Sequence, residues 1–339
     1  MKKDDISNIK ALLNTPKKIV IVPHKNPDGD AIGSTLGLYH YLLNYNHNVC
    51  IIAPNDYPKF LKWMPHEASI LKYDAQTKTC NTIINQAEII FTLDFNALNR
   101  TGDMEAVLAQ SDSIKIMIDH HQQPDDYAQY TYSDVNMSST CEMVYNFIDF
   151  LKDTSKIDSN IATCLYTGIM TDTGSFRFQS TTSNTHKIIA NLIDKGAQNA
   201  QIHNAIYDTN SFNRLQLLGR ALSNLNVLPE YNTAYITLSQ EELISFNFEK
   251  GDTEGFVNYA LSLEHIIFAA IFIEDQKQKI IKISLRSKGA FSVNEFSRLN
   301  FEGGGHTNAA GGRSELSLNE TVEKFISILP RYKTDLNNE

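Results

Sequence analysis

The stretch KKIVIVPHKNPDGDAIGSTLGL, residues 17–38, decides the fold class of this chain. Its first seven residues are a short, apolar, β-branched run, and from Ala31 to Leu43 the apolar residues return at helical spacing. A strand, a polar turn rich in Asp and Gly and then a helix open an α/β unit. The same alternation continues outward. NVCIIAP (48–54), AEIIFTL (87–93) and SIKIMI (113–118) read as strands, and Thr140–Leu151 and Asp158–Met170 read as helices. Continuous apolar strands separated by helices predict a parallel sheet covered on both faces.

From Asn184 to Leu225 the texture is helical with polar interruptions, which predicts a helical connector. After Pro229 a second, smaller α/β unit is expected, with strands over 233–238, 266–274 and 279–286 and a helix over 255–263. The expected division is therefore 1–183, 184–225 and 226–339, in keeping with 339 residues at roughly 150 per domain. The polar tail from Tyr332 is expected to fray.

The composition excludes several classes. Hydrophobic residues make up 42% and charged residues 20%, which suits a packed core and not a disordered chain. The net charge of −9 and a pI near 5.6 argue against coating long nucleic acid by charge, while leaving room for a small phosphate ligand in a local basic pocket. The four cysteines form no C-x-x-C pair, and Cys50 and Cys164 lie in apolar runs as small core residues. With neither a secretory signal nor an apolar run long enough to span a bilayer, the expected setting is the cytoplasm, with no membrane partner.

Aspartates and histidines gather at four element ends. These are His24 to Asp30 after the first strand, Asp94 ending FTLD, Asp119-His120-His121 ending IMIDHH, and Asp172 closing a helix. Ligands of open parallel sheets bind beyond the carboxyl ends of the strands, so the clusters should converge in one cleft. Taken singly, Asp28-Gly29-Asp30 reads equally as a turn with a helix cap, and Asp94 and Asp172 as caps. Together they would crowd five carboxylates, whose repulsion calls for cations. Carboxylate mixed with imidazole and no thiolate suits Mn²⁺ or a similar divalent ion over Ca²⁺ or structural Zn²⁺. Shared carboxylates suggest two ions, which would activate water for hydrolysis at phosphorus.

On HKNPDGDAIGSTLGL, the strand ending at Asp94, IDHH and TDTGSFRF (171–178), the sequence resembles the DHH phosphoesterase superfamily, and within it the nano-RNase and pAp-phosphatase subfamily. FEGGGH (301–306) followed by NAAGG (308–312) resembles the glycine-rich motif of the DHH-associated C-terminal domain, with Glu302 where fuller forms carry a fourth glycine. The resemblance implies a parallel-sheet DHH domain joined to a smaller α/β domain. It implies that His24, Asp28 and Asp94 hold one Mn²⁺ and that Asp30, Asp94, His120 and Asp172 hold the other. It places Asp119 behind the ligands as an orienting group and His121 beside the scissile phosphate. It gives Arg286, Ser287, Gly303, Gly304, Gly305 and His306 the far end of the substrate.

Read without the resemblance, Gly303 to Gly305 is either an anion cradle or a tight turn, and Arg286 either a phosphate grip or a solvated strand end. Phe176 or Phe178 could stack on a base, although a packing role is the ordinary reading, and Ser34 and Thr35 read as local caps. The expected activity is Mn²⁺-dependent release of mononucleotides from short single-stranded RNA, together with removal of phosphate from 3′-phosphoadenosine 5′-phosphate (pAp). Hydrolysis of a cyclic or linear dinucleotide is the alternative within this chemistry, and a non-catalytic nucleotide sensor the alternative outside it. A homodimer is kept as a possible assembly.

Overall fold

The computed structural model of the protein describes residues 1–337. The chain divides into two compact units, Met1–Thr209 and the chain from Asn210 onward.

In the first unit, helix α1 (Lys3–Leu13) precedes strand β1 (Lys18–Pro23), helix α2 (Gly29–Leu43) and strand β2 (Asn48–Ala53). Then come β3 (Leu71–Lys72), α3 (Tyr73–Gln86), β4 (Ile89–Leu93), α4 (Glu105–Gln110), β5 (Ile114–Asp119) and β6 (Tyr130–Ser133). Helices α5 (Thr140–Phe150), α6 (Ser159–Asp172), α7 (Ser183–Asp194) and α8 (Asn199–Tyr207) complete the unit. The six strands lie in the order β3-β2-β1-β4-β5-β6. Every neighbouring pair is parallel. The expected two-sided covering follows from the two-residue period of a strand. Ile19 and Ile21 of β1 enter one core, with Ile32 and Leu36 of α2 and Leu165 of α6. Val20 and Val22 enter the other, with Cys80 and Ile84 of α3 and Leu108 of α4. Strands β3 and β6 escape sequence reading because they are short and carry no apolar run. Both owe their strand conformation to pairing with a longer neighbour.

The strand order reverses direction at β1, which has β2 on one side and β4 on the other. The helices that follow β1 and β4 therefore cover opposite faces, α2 in one core and α4 in the other, and ligands of such sheets bind at this carboxyl edge. Helices α2 and α6 cross this region in close contact. A Cβ on Gly33 would stand 2.6 Å from the Cys164 carbonyl oxygen, and one on Gly168 only 2.1 Å from Cys141 Sγ. Glycine at both positions lets the two helices bring Asp30 and Asp172 to one place.

The second unit begins with α9 (Phe212–Ser223), β7 (Asn226–Leu228), β8 (Thr233–Leu238), α10 (Gln240–Ser245) and α11 (Phe256–Leu261). It continues with β9 (Phe268–Asp275), β10 (Ile280–Ser287), α12 (Val293–Asn300), β11 (Gly304–His306), β12 (Ala309–Ser314), α13 (Leu318–Ile328) and α14 (Lys333–Asn337). Its sheet has the order β11-β12-β10-β9-β8-β7, with β8 and β9 the parallel pair. Phe268, Phe272, Phe296 and Phe325 form the aromatic centre of one core. Of the helices read as a connector, α7 and α8 bury Ile188, Leu192 and Ile202 in the first unit's core, and α9 buries Leu217 and Ala221 in the second's. The tail does not fray over Tyr332 to Asn337. Leu336 is buried, and its carbonyl accepts from Asn232 Nδ2–H at 3.0 Å. The final residues, 338 and 339, lie outside the described residues. No helix of the described residues is long and apolar enough to cross a membrane.

Candidate active site

The structure brings His24, Asp28, Asp30, Asp94, Asp119, His120, His121 and Asp172 together at the carboxyl edge of the parallel sheet. Asp28 is both a cap and a site residue. Its Oδ1 accepts from the backbone N–H of Asp30 and Ala31 at the start of α2, while its Oδ2 lies 3.9 Å from His24 Nε2. Asp94 follows β4 in a left-handed conformation (φ 65°), uncommon outside glycine and best tolerated by Asp and Asn. Its two oxygens face two histidines, Oδ2 at 3.5 Å from His24 Nε2 and Oδ1 at 3.4 Å from His120 Nε2. His120 Nε2 also faces Asp172 Oδ2 at 3.5 Å and Asp30 Oδ2 at 3.7 Å.

Hydrogen bonding sets the tautomers of both histidines. A carbonyl can only accept, so His24 Nδ1–H donates to the Lys25 carbonyl (2.8 Å) and His120 Nδ1–H to the Met137 carbonyl (3.2 Å). In the neutral ring each Nε2 then presents a lone pair to the carboxylates, the arrangement a metal-binding histidine requires. The N···O separations of 3.4–3.9 Å exceed those of good charge-assisted hydrogen bonds, about 2.7–2.9 Å. They suit two ligand atoms of one ion, each roughly 2.1 Å from it. Among the groups of side chains close enough to hold an ion are His24–Asp28–Asp94, Asp30–His120–Asp172 and Asp94–Asp119–His121.

The electrostatics follow from this crowding. Burial pulls His120 down, but the hydrogen bond to Asp94 and the charges of Asp172, Asp94 and Asp30 outweigh it and lift the ring well above its ordinary value. His24 is raised too, its burial overcome by Asp94 and Asp28. Burial would push Asp94 up, yet hydrogen bonds from His120 and His24 hold it well below the usual carboxylate range. Asp30 is raised well above that range by burial, then by Asp94 and Asp172. Asp172 is pushed up to about 7, by burial against the opposing charge of His120 and with the help of Asp28 and Asp94. Protons and divalent cations compete for these same lone pairs.

Asp119 is fully buried and clamps His121, accepting from its Nδ1–H (2.7 Å) at Oδ1 and from its backbone N–H (3.1 Å) at Oδ2. Sequence reading placed the start of α5 correctly at Thr140 but did not place it at the site. Backbone N–H groups of Thr140 (2.6 Å) and Cys141 (2.9 Å) donate to the two oxygens of Asp30, and Thr140 Oγ1–H donates to Asp94 Oδ1 (2.9 Å). The signal was present in Ser139-Thr140-Cys141-Glu142, where Ser139 caps the helix by accepting from the Glu142 N–H. Nothing local says that this cap lies at the cluster.

In the second unit, Gly303 to Gly305 is not an open loop. Gly304–His306 pairs antiparallel with Ala309–Ser314 as a hairpin. Gly303 is required by packing, since a Cβ there would stand 1.9 Å from the Gly311 carbonyl oxygen and 2.2 Å from Ser297 Oγ. Glu302, in a left-handed conformation (φ 47°), has its own partner in Arg313, whose guanidinium donates twice to Oε2 at 3.0 and 3.1 Å. His306 and Arg286 both stand opposite Ala309, from either side of β12. Directly opposed residues share a face, so the imidazole and the guanidinium flank a small alanine on one surface of the sheet. Ser287 Oγ–H donates to the Phe291 carbonyl (2.6 Å), and Oγ accepts from Asn308 Nδ2–H (2.9 Å), which fixes the turn after Arg286.

The DHH family N-terminal domain matches residues 18–169, and the DHHA1 domain matches residues 231–332. The chain belongs to the DHH family. It is a phosphoesterase of this superfamily, and its mixed α/β architecture is the one the motifs imply. A bifunctional oligoribonuclease and PAP phosphatase NrnA of Thermus thermophilus is 29% identical over 310 residues, 91% of this chain and 88% of that protein. An exopolyphosphatase-related protein from Bacteroides fragilis shares 43% identity, with a TM-score of 0.94 over 99% of this chain and 98% of the other. RecJ of Thermus thermophilus, solved in complex with Mn²⁺, shares the fold at 12% identity and a TM-score of 0.55, over 97% of this chain and 54% of RecJ.

Proposed function

We propose that this DHH phosphoesterase is a Mn²⁺-dependent hydrolase of short oligoribonucleotides that also removes the 3′-phosphate of pAp. The observation that carries the reading is Asp94, buried and aimed by one oxygen at His24 and by the other at His120. In this reading His24, Asp28 and Asp94 hold one ion, and Asp30, His120 and Asp172 with Asp94 hold the second. Such a pair of ions supplies Lewis acidity, making water nucleophilic near neutral pH and offsetting the charge of the phosphoryl oxygens. The Thr140 and Cys141 amides orient Asp30. Asp119, bonded to Nδ1–H, keeps the His121 ring oriented so that Nε2 can exchange a proton with the departing oxygen. Arg286 and His306, on one face of the C-terminal sheet, hold the substrate's far end, with Ser287 fixing the adjoining turn. The names of the curated relatives support both substrates. Four free cysteines suit a reducing cytoplasm.

Product analysis with Mn²⁺ and a panel of 5′-phosphorylated RNA dinucleotide and five-mer, pAp, a cyclic dinucleotide and pyrophosphate tests the reading. Mononucleotides from the short RNAs are expected, with AMP from pAp. Turnover of only the cyclic dinucleotide or pyrophosphate would refute it.

A further inference from the structure

Beyond the metal-binding side chains, two loops at the carboxyl edge of the parallel sheet carry cations that the reading above does not use. Lys25 directly follows His24, and Arg100 lies six residues after Asp94. The loops are tied together, because the Lys25 backbone N–H donates to the Arg100 carbonyl at 2.8 Å. The Lys25 stem lies over Gly102, where a Cβ would meet its Cδ at 2.9 Å and its Nζ at 3.2 Å. Gly102 has φ 60° and ψ −124°, a backbone conformation that side-chain-bearing residues rarely adopt. The turn is thus shaped to seat a lysine. Arg100 is half-buried. Among the described residues neither the Lys25 ammonium nor the Arg100 guanidinium has a hydrogen-bond or ion-pair partner.

A half-buried guanidinium without a carboxylate, in a chain of net charge −9, is arranged for an anion from outside the protein. We propose that Lys25 and Arg100 bind the internucleotide phosphate next to the scissile one, and so set how far the enzyme accepts chains longer than a dinucleotide. The scissile phosphate belongs over Asp94, between the two groups of ligands. Lys25 directly follows His24 and its backbone is bonded to Arg100, so the two cations belong to the loops on the His24 flank, where the neighbouring phosphate of the same strand would run. The inference rests on the phosphohydrolase reading. It differs from the role given to Arg286 and His306, because a dinucleotide has no phosphate for this pair.

The test compares wild type, Lys25→Gln, Arg100→Gln and the double variant on a 5′-phosphorylated dinucleotide and five-mer, with Mn²⁺, across a salt series. Losing one charge-assisted contact should raise the five-mer KM roughly tenfold more than the dinucleotide KM. The slope of log KM against log salt for the five-mer should become shallower by about 0.7 for each cation removed. Arg100→Lys should restore part of the slope, which a merely structural role would not do. Equal losses on both RNAs, or an unchanged slope in the double variant, overturn the proposal. If wild type cleaves neither RNA, the phosphohydrolase reading has failed. The pair is then judged by fluorescence anisotropy of a labelled five-mer in Mn²⁺, where identical salt slopes for wild type and double variant refute it.

Discussion

Gly168→Ala tests whether the packing of α6 against the site is as close as the structure shows. Inside a helix this substitution is ordinarily favourable by about 1 kcal/mol. Here the new Cβ would lie 2.1 Å from Cys141 Sγ, 2.9 Å from Asp30 Oδ1 and 3.1 Å from Asp30 Cα. Ordinary contacts between such atoms are about 3.5–4 Å, so α6 must move by more than 1 Å relative to α5 or α2. Overpacking of this kind costs about 1–3 kcal/mol, which exceeds the propensity gain over most of that range. The expected net loss is about 0–2 kcal/mol, at most roughly 8 °C in Tm for a unit of this size. Because Asp30 is oriented by the Thr140 and Cys141 amides, the same shift should weaken Mn²⁺ binding by roughly 10–100-fold. Thermal melts with and without Mn²⁺ measure both effects. Cys141→Ala removes the nearest colliding atom and should recover about 1 kcal/mol in a double-mutant cycle. Gly219→Ala in α9 is the internal control, since no atom lies within 4 Å of its Cβ, and it should stabilise by about 0.5–1 kcal/mol. If Gly168→Ala also stabilises, the close crossing of α2, α5 and α6 is wrong.

Asp94→Ala should reduce turnover to background while circular dichroism reports a folded chain, and near-normal activity would remove the shared-carboxylate arrangement. Mn²⁺ at 100 times its Kd should stabilise wild type by about 2.7 kcal/mol, roughly 5–11 °C for the first unit, with the gain lost on adding EDTA and largely absent in Asp94→Ala. His306→Ala should raise KM without reducing this Mn²⁺-dependent thermal shift; loss of the shift would show that His306 serves the metals and not the substrate. Away from the site, burial pushes Asp153 up, but hydrogen bonds from the Tyr45 and Tyr41 hydroxyls and the charge of Lys156 hold it below the usual carboxylate range. A depressed carboxyl contributes stability above its unfolded value of about 3.9 and loses it as pH falls through the folded value. The stability gap between wild type and Asp153→Asn should therefore be larger at pH 7 than at pH 3 in urea titrations, and a gap independent of pH would contradict the assignment.

Much of the site was legible because its residues sit where local rules place them. Strands β1, β4 and β5 are continuous apolar runs, and the residues that follow each of them, His24, Asp94 and Asp119-His120-His121, needed only the rule that parallel sheets bind ligands at their carboxyl ends. Asp172 was legible as the polar end of an apolar helix. Thr140 was not legible as part of the site, because it reads only as the first residue of a helix. The glycine-rich segment was legible as a motif but not as a hairpin, because four-residue texture cannot show that β12 is available to pair with it.

The alternation of the main strands β1, β2, β4 and β5 with helices, the two-sided core and the residue types of the cluster were determined by sequence alone, through hydrophobic periodicity and the chemistry of carboxylate and imidazole. Tertiary structure decided the rest. It brought Asp94 between His24 and His120, placed the α5 amides on Asp30, and set Arg286 and His306 opposite the same alanine. These arrangements depend on strand order, register and the closeness of a glycine-lined helix crossing. Such quantities arise only when distant segments pack, and no local pattern encodes the distance between them.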